Sequence, residues 1–99
     1  MMQDAQTLLL RAMRTTGDPM PGLRAAHSEA WASATFAGAR HRFELEPASP
    51  GHADAFAVRL TRADYRLPGH LVADIVVAAR TETTQGIALT IEALTVEDG

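Results

Sequence analysis

The chain contains no cysteine, no lysine and no asparagine. Without cysteine there is no disulfide, no thiolate nucleophile and no cysteine-ligated zinc site. Without lysine there is no Schiff-base chemistry and no phosphate-loop lysine. All nine basic residues are arginine, and alanine is the commonest residue. That composition is expected of a GC-rich bacterial genome. Aromatic residues are also few: Trp31, Phe36, Phe43, Phe56 and Tyr65. A core with so few large side chains gains from apolar contact with a partner, which favours a homodimer. No G-x-S-x-G occurs, only Ser28, Ser33 and Ser49 could supply a serine nucleophile, and no glycine-rich loop follows a strand pattern. The pattern implies no cofactor.

The net charge of −3 and pI of about 5.7 lack the basic footprint that nucleic-acid binding needs. Met1 to Asp4 carries no basic region of a signal peptide, and Arg11 interrupts Leu8-Leu9-Leu10 at once. The run is too short for export or a membrane span, so a cytoplasmic location with no membrane contact is expected.

Ninety-nine residues are expected to form a single domain, 1–99. Apolar residues at Ala5, Leu8, Leu9, Ala12 and Met13 predict a helix over 1–15, with Asp4 as cap. Two prolines and two glycines between Thr16 and Gly22 predict a loop over 16–26. Alternation over 29–46 predicts a hairpin turning at Gly38-Ala39, which pairs Phe36 with His41, Ala34 with Phe43 and Ala32 with Leu45. Ser49-Pro50 opens a predicted helix over 49–66, which Leu67-Pro68-Gly69 stops. A strand across Phe56-Val58-Leu60 is the competing reading. Residues 71–97 predict a second hairpin; centring its loop on Thr83 pairs Val77 with Leu89, Ile75 with Ile91 and Ala73 with Ala93. The fold class is therefore α+β: a two-layer arrangement in the order α-β-β-α-β-β, with a four-stranded antiparallel sheet and two helices on one face.

The other face of that sheet is where function is expected. The register sets Asp74 directly opposite Glu92, and like charges so placed call for an arginine, a shared proton or a cation. Arg42 of the neighbouring hairpin is the candidate that neutralises them. Val72, Val76 and Leu94 make the face mixed, and Trp31 falls on it too. A mixed face with a tryptophan fits a protein interface, with residues 16–26 as the alternative cover for Trp31. Trp31, Arg42, Val72, Asp74, Val76, Glu92 and Leu94 are the binding or interface candidates; no residue is singled out as catalytic or as a metal ligand.

His27, His41, His52 and His70 form neither an i, i+4 pair nor a His-x-His pair, and they are expected on the surface. Arg40-His41-Arg42 and the stripe Arg59, Arg62, Arg66 could hold an anion, or form a solvated face balanced by Glu44, Glu46 and Asp64. Leu67-Pro68-Gly69-His70 resembles the Pro-Gly-His loop of hot-dog-fold acyl-carrier-protein dehydratases. The resemblance covers these four positions and implies His70 as a general base beside a helix carboxylate. The chain is shorter than a typical hot-dog domain and lacks the preceding catalytic-type histidine, and a helix-stop turn explains the same residues without chemistry.

Two functions follow as expectations. The first is a non-enzymatic protein-interaction module, homodimeric or bound to another protein. The alternative is a small-ligand-binding protein or enzyme using Asp74 and Glu92 on the exposed sheet face.

Overall fold

The computed structural model describes residues 4–15 and 20–98. In chain order these form α1 (Ala5–Arg14), β1 (Gly22–Ala32), β2 (Ala37–Glu46), α2 (Pro50–Arg62), β3 (His70–Thr83) and β4 (Gly86–Glu97). The predicted α+β order holds, with one antiparallel sheet in the order β1-β2-β4-β3. Of the predicted loop, residues 16–19 lie outside the described residues, and residues 22–26 are already strand.

Both helices start as their residue types dictate. The Asp4 carboxylate accepts from the Thr7 N–H at 2.8 Å, which also lowers its pKa. The Ser49 hydroxyl accepts from the His52 N–H at 3.1 Å, and Pro50 occupies the first turn, where its missing N–H costs nothing. Residues 50–62 are helix, so the competing strand across Phe56 to Leu60 does not form. The helix ends at Arg62 rather than Arg66. Ala63 is already extended, and the Tyr65 hydroxyl folds back to donate to the Leu60 carbonyl at 2.8 Å. That carbonyl is one of the last four without an intrahelical partner, so Tyr65 completes the end of the helix. Burial raises the Tyr65 pKa to about 12, which keeps the hydroxyl protonated as a donor.

The first hairpin turns at Ser33–Phe36, not at Gly38-Ala39. Ser33 accepts from the Phe36 N–H at 3.1 Å through its hydroxyl, and its own N–H donates to the Phe36 carbonyl at 2.7 Å. This side-chain-to-backbone turn outcompetes the glycine signal. Ala32 therefore pairs with Ala37, Ser28 with His41 and Ala26 with Phe43. Gly38 serves a different purpose. A Cβ there would stand 2.0 Å from the Thr95 carbonyl oxygen and 2.9 Å from Trp31 Cζ2, so only glycine fits.

The second hairpin turns at Thr84-Gln85, with Thr83 opposite Gly86 at φ 135°. Val77 pairs with Ile91 and Ile75 with Ala93, a two-residue shift from the expected register. Bulges between Val72 and Asp74 and between Val77 and Ala79 break the strict alternation of β3.

The core is a cluster of Leu8, Leu9 and Met13 of α1, Ala53, Phe56 and Leu60 of α2, Phe43, Leu45, Leu89, Ile91 and Ala93 of the sheet, and Leu67. Both helices thus cover one face. Each large apolar side chain there contributes roughly 1.5–3 kcal/mol by leaving water. The cover is incomplete, because the molecule is 46 Å long and helices of ten and thirteen residues span only about 15 and 20 Å. Every residue of β1 is exposed except the half-buried Trp31. None of the described helices is long and apolar enough to cross a membrane.

Candidate functional site

The observed register orders the open face into rows across β1, β2, β4 and β3. One row is Trp31, Gly38, Val96 and Leu71. The next is Glu29, Arg40, Leu94 and Asp74, and the third is His27, Arg42, Glu92 and Val76. Asp74 and Glu92 share the face but do not oppose each other: Asp74 faces Leu94, and Glu92 lies between Arg42 and Val76. The expected like-charge pair is thereby corrected to a diagonal. The turn at Thr84-Gln85 and the bulge between Val77 and Ala79 set this register. Arg42 lies opposite Glu92 in the register. Asp74 and Glu92, with Arg40, Val76 and Leu94, line a shallow depression of about 310 Å³. Among the described residues no group of three or more His, Asp or Glu could hold a metal ion.

Val72 is half-buried rather than open, though it lines the same apolar depression as Trp31 and Leu71. The bulge turns it to pair with the buried Thr95, and it packs against the core. Leu71 takes the open position instead and is 55% exposed. Phe36, at the hairpin end, is 58% exposed, and Val76 is 40% exposed. Trp31, Phe36, Leu71 and Val96 surround an apolar depression of about 460 Å³. The Trp31 ring lies over Gly38, and its buried Nε1 has no hydrogen-bond partner among the described residues. Residues 22–26, expected as a cover for Trp31, are instead the start of its own strand.

The helix-side face holds a polar cluster that the surface reading of the histidines missed. His41 is 3% exposed and Thr95 fully buried. The His41 Nδ1 lies 2.6 Å from the Ser28 hydroxyl, and its Nε2 lies 2.9 Å from the Thr95 hydroxyl, which donates to the Ala39 carbonyl at 3.4 Å. With the Thr95 proton so placed, Nε2–H donates to Thr95 and the Ser28 O–H donates to Nδ1, and all three contacts are made at once. Burial lowers the His41 pKa, the nearby His70 adds to this, and Asp4 opposes it. His41 also stacks on Phe43, with ring centroids 6.0 Å apart. His70 is 9% exposed and begins β3, and neither ring nitrogen has a hydrogen-bond partner among the described residues. Only His27 and His52 are exposed as expected. Nothing in the sequence pairs Ser28 or His41 with Thr95, which is 54 residues from His41.

The basic stripe is also rearranged. Arg59 sits 5.9 Å from the Phe56 ring centroid, and Arg66, beyond the helix, pairs with Asp64 at 3.2 Å. The Pro-Gly-His stretch forms a tight bridge between Leu67 and His70, within a fold of two short helices on one sheet face rather than one long central helix. No protein-family model, curated protein or solved structure matches the chain.

Proposed function

We propose that the chain is a non-enzymatic protein-interaction module that self-associates, with β1 and the adjoining end of the open sheet face as its contact surface. The observation that carries this reading is the state of β1. It is an edge strand, hydrogen-bonded only to β2 in the sheet, and it is exposed along almost its whole length. Such a strand presents a row of backbone N–H and C=O groups that another strand can satisfy. The apolar group of Trp31, Phe36, Leu71 and Val96 crosses that end of the open face from β1 to β3, and its exposed members Phe36 and Leu71 support contact there, because clustered apolar side chains mark contact sites more often than scattered ones do. The small-ligand reading is less well supported. It needed two carboxylates in contact, and the register holds Asp74 and Glu92 apart.

The test is sedimentation equilibrium on the full chain across a wide concentration range. A dimer mass that falls to monomer on dilution is expected. A monomer at every concentration, with the fold intact by circular dichroism, overturns the proposal.

A further inference from the structure

We propose that two copies join β1 to β1 in antiparallel register with Ser28 opposite Ser28, merging two four-stranded sheets into one continuous sheet. This rests on the self-association reading and names its geometry.

The two edges of the sheet differ. β3 carries two bulges and two bound charges: Arg80 pairs with Asp54 of α2 and with Glu82. Bulges and charged side chains are the usual defences of an edge strand. β1 has a single irregularity, between Leu23 and Ala25. From Ala25 to Ala32 its pairing is regular, and the segment holds no proline or arginine.

The direction of its backbone groups follows from the turn. The Ser33 N–H donates to the Phe36 carbonyl, so Ser33 and Phe36 form a hydrogen-bonded pair. Such pairs alternate along an antiparallel ladder. Trp31, Glu29 and His27 therefore direct their backbone groups to β2, and Ala32, Ala30, Ser28 and Ala26 direct theirs to the free edge. The contact between the Ser28 and His41 side chains agrees, because side chains approach most closely at non-hydrogen-bonded pairs.

The side chains that would face each other then select the register. With Ser28 on the two-fold axis, His27 of one copy lies opposite Glu29 of the other, twice by symmetry. Both residues belong to the open face, where Arg42 lies beside His27 and Arg40 beside Glu29. The rows of the two copies thus meet base to acid. Centring on Glu29 would oppose two carboxylates, and centring on Ala30 would set Glu29 against Trp31. The chosen register also sets Ala26 against Ala30, and the three outward residues exchange about six backbone hydrogen bonds.

The chain has no cysteine, so single-cysteine variants report the register directly. Hydrogen-bonded partners have Cα atoms about 5.5 Å apart, inside the span a disulfide bridges. Ser28→Cys is expected to form a covalent dimer on mild oxidation. Ala26→Cys and Ala30→Cys are each expected to fail alone and to cross-link when mixed. Ala30→Pro removes only an outward N–H, so it should keep the circular dichroism of the native chain and abolish its dimer mass. A native dimer that survives Ala30→Pro, or that cross-links without regard to position, overturns this geometry and leaves self-association standing. A native chain that is monomeric throughout overturns both.

Discussion

Thr95→Val tests the buried polar cluster most directly. Thr95 is fully buried, and its hydroxyl accepts from His41 Nε2 at 2.9 Å. Valine keeps the shape and removes the acceptor, so the ring N–H is left in the core without a partner. If the ring changes tautomer instead, Nε2 becomes an unmatched acceptor, and the deficit is moved rather than cured. Leaving a buried polar group unsatisfied costs about 1–3 kcal/mol. The extra methyl of valine offsets less than one buried methylene, ~0.8 kcal/mol, because the site is already filled. A net loss of about 1–2 kcal/mol remains, and for a domain of this size each kcal/mol lowers Tm by roughly 4–8 °C. Thr95→Ser keeps the hydroxyl and loses a methyl, so it serves as the control. Urea unfolding of the three proteins at neutral pH reads the effect. A valine variant as stable as the native chain would refute the proposed cluster, as would a serine variant equally destabilised by loss of the methyl alone.

The pH dependence of stability should carry the His41 signature. Because burial lowers its folded pKa below the ordinary 6.5, the unfolded chain takes up the proton first as pH falls. The contribution is complete above pH 6.5 and is lost below it, at no more than about 1.4 kcal/mol per pH unit for the one proton. The difference between native and His41→Gln profiles isolates it, and parallel profiles would contradict the assignment. Gly38→Ala forces a Cβ to within 2.0 Å of the Thr95 carbonyl oxygen and should cost about 1–3 kcal/mol as overpacking. It should also move the emission of Trp31, the only tryptophan, and an unshifted spectrum at native stability would show that the close approach is not there.

Local chemistry was legible, and the shift of whole strands was not. Asp4, Ser49 and Pro50 mark both helix starts because a cap acts on residues three positions away. The apolar spacing of Leu8, Leu9 and Met13, and of Ala53, Phe56 and Leu60, finds the buried stripes for the same reason. The turn of the first hairpin was misplaced because Gly38 and Ser33 both carry turn signals. The Ser33 hydroxyl closes the turn, and Gly38 instead packs under Trp31, a contact across strands that the local sequence does not mark. The two bulges of β3 have no local signal, since no proline or glycine marks Ala73 or Ala78. Yet the first of them half-buries Val72 and leaves Leu71 open. One unmarked residue therefore changes which apolar side chains the face displays. The faces of β2 were read correctly because His41, Phe43 and Leu45 alternate without interruption.

Ser28 belongs both to the proposed interface and to the buried polar cluster. It lies on the proposed two-fold axis, and its hydroxyl is the group His41 holds from inside the protomer. A partner strand arriving at β1 therefore meets a side chain whose hydrogen bond is already made. On the same side of the strand its neighbours are Ala26, Ala30 and Ala32, which have no polar side-chain atoms to desolvate. The groups that lose water on pairing are then chiefly the outward backbone amides and carbonyls, and a second strand satisfies those one for one. The small residues that leave the core short of bulk also let a second copy approach the edge without obstruction. His27 and Glu29, the two ionisable residues between Ala25 and Ala32, lie on the opposite face, where the proposed register sets the imidazole of one copy opposite the carboxylate of the other.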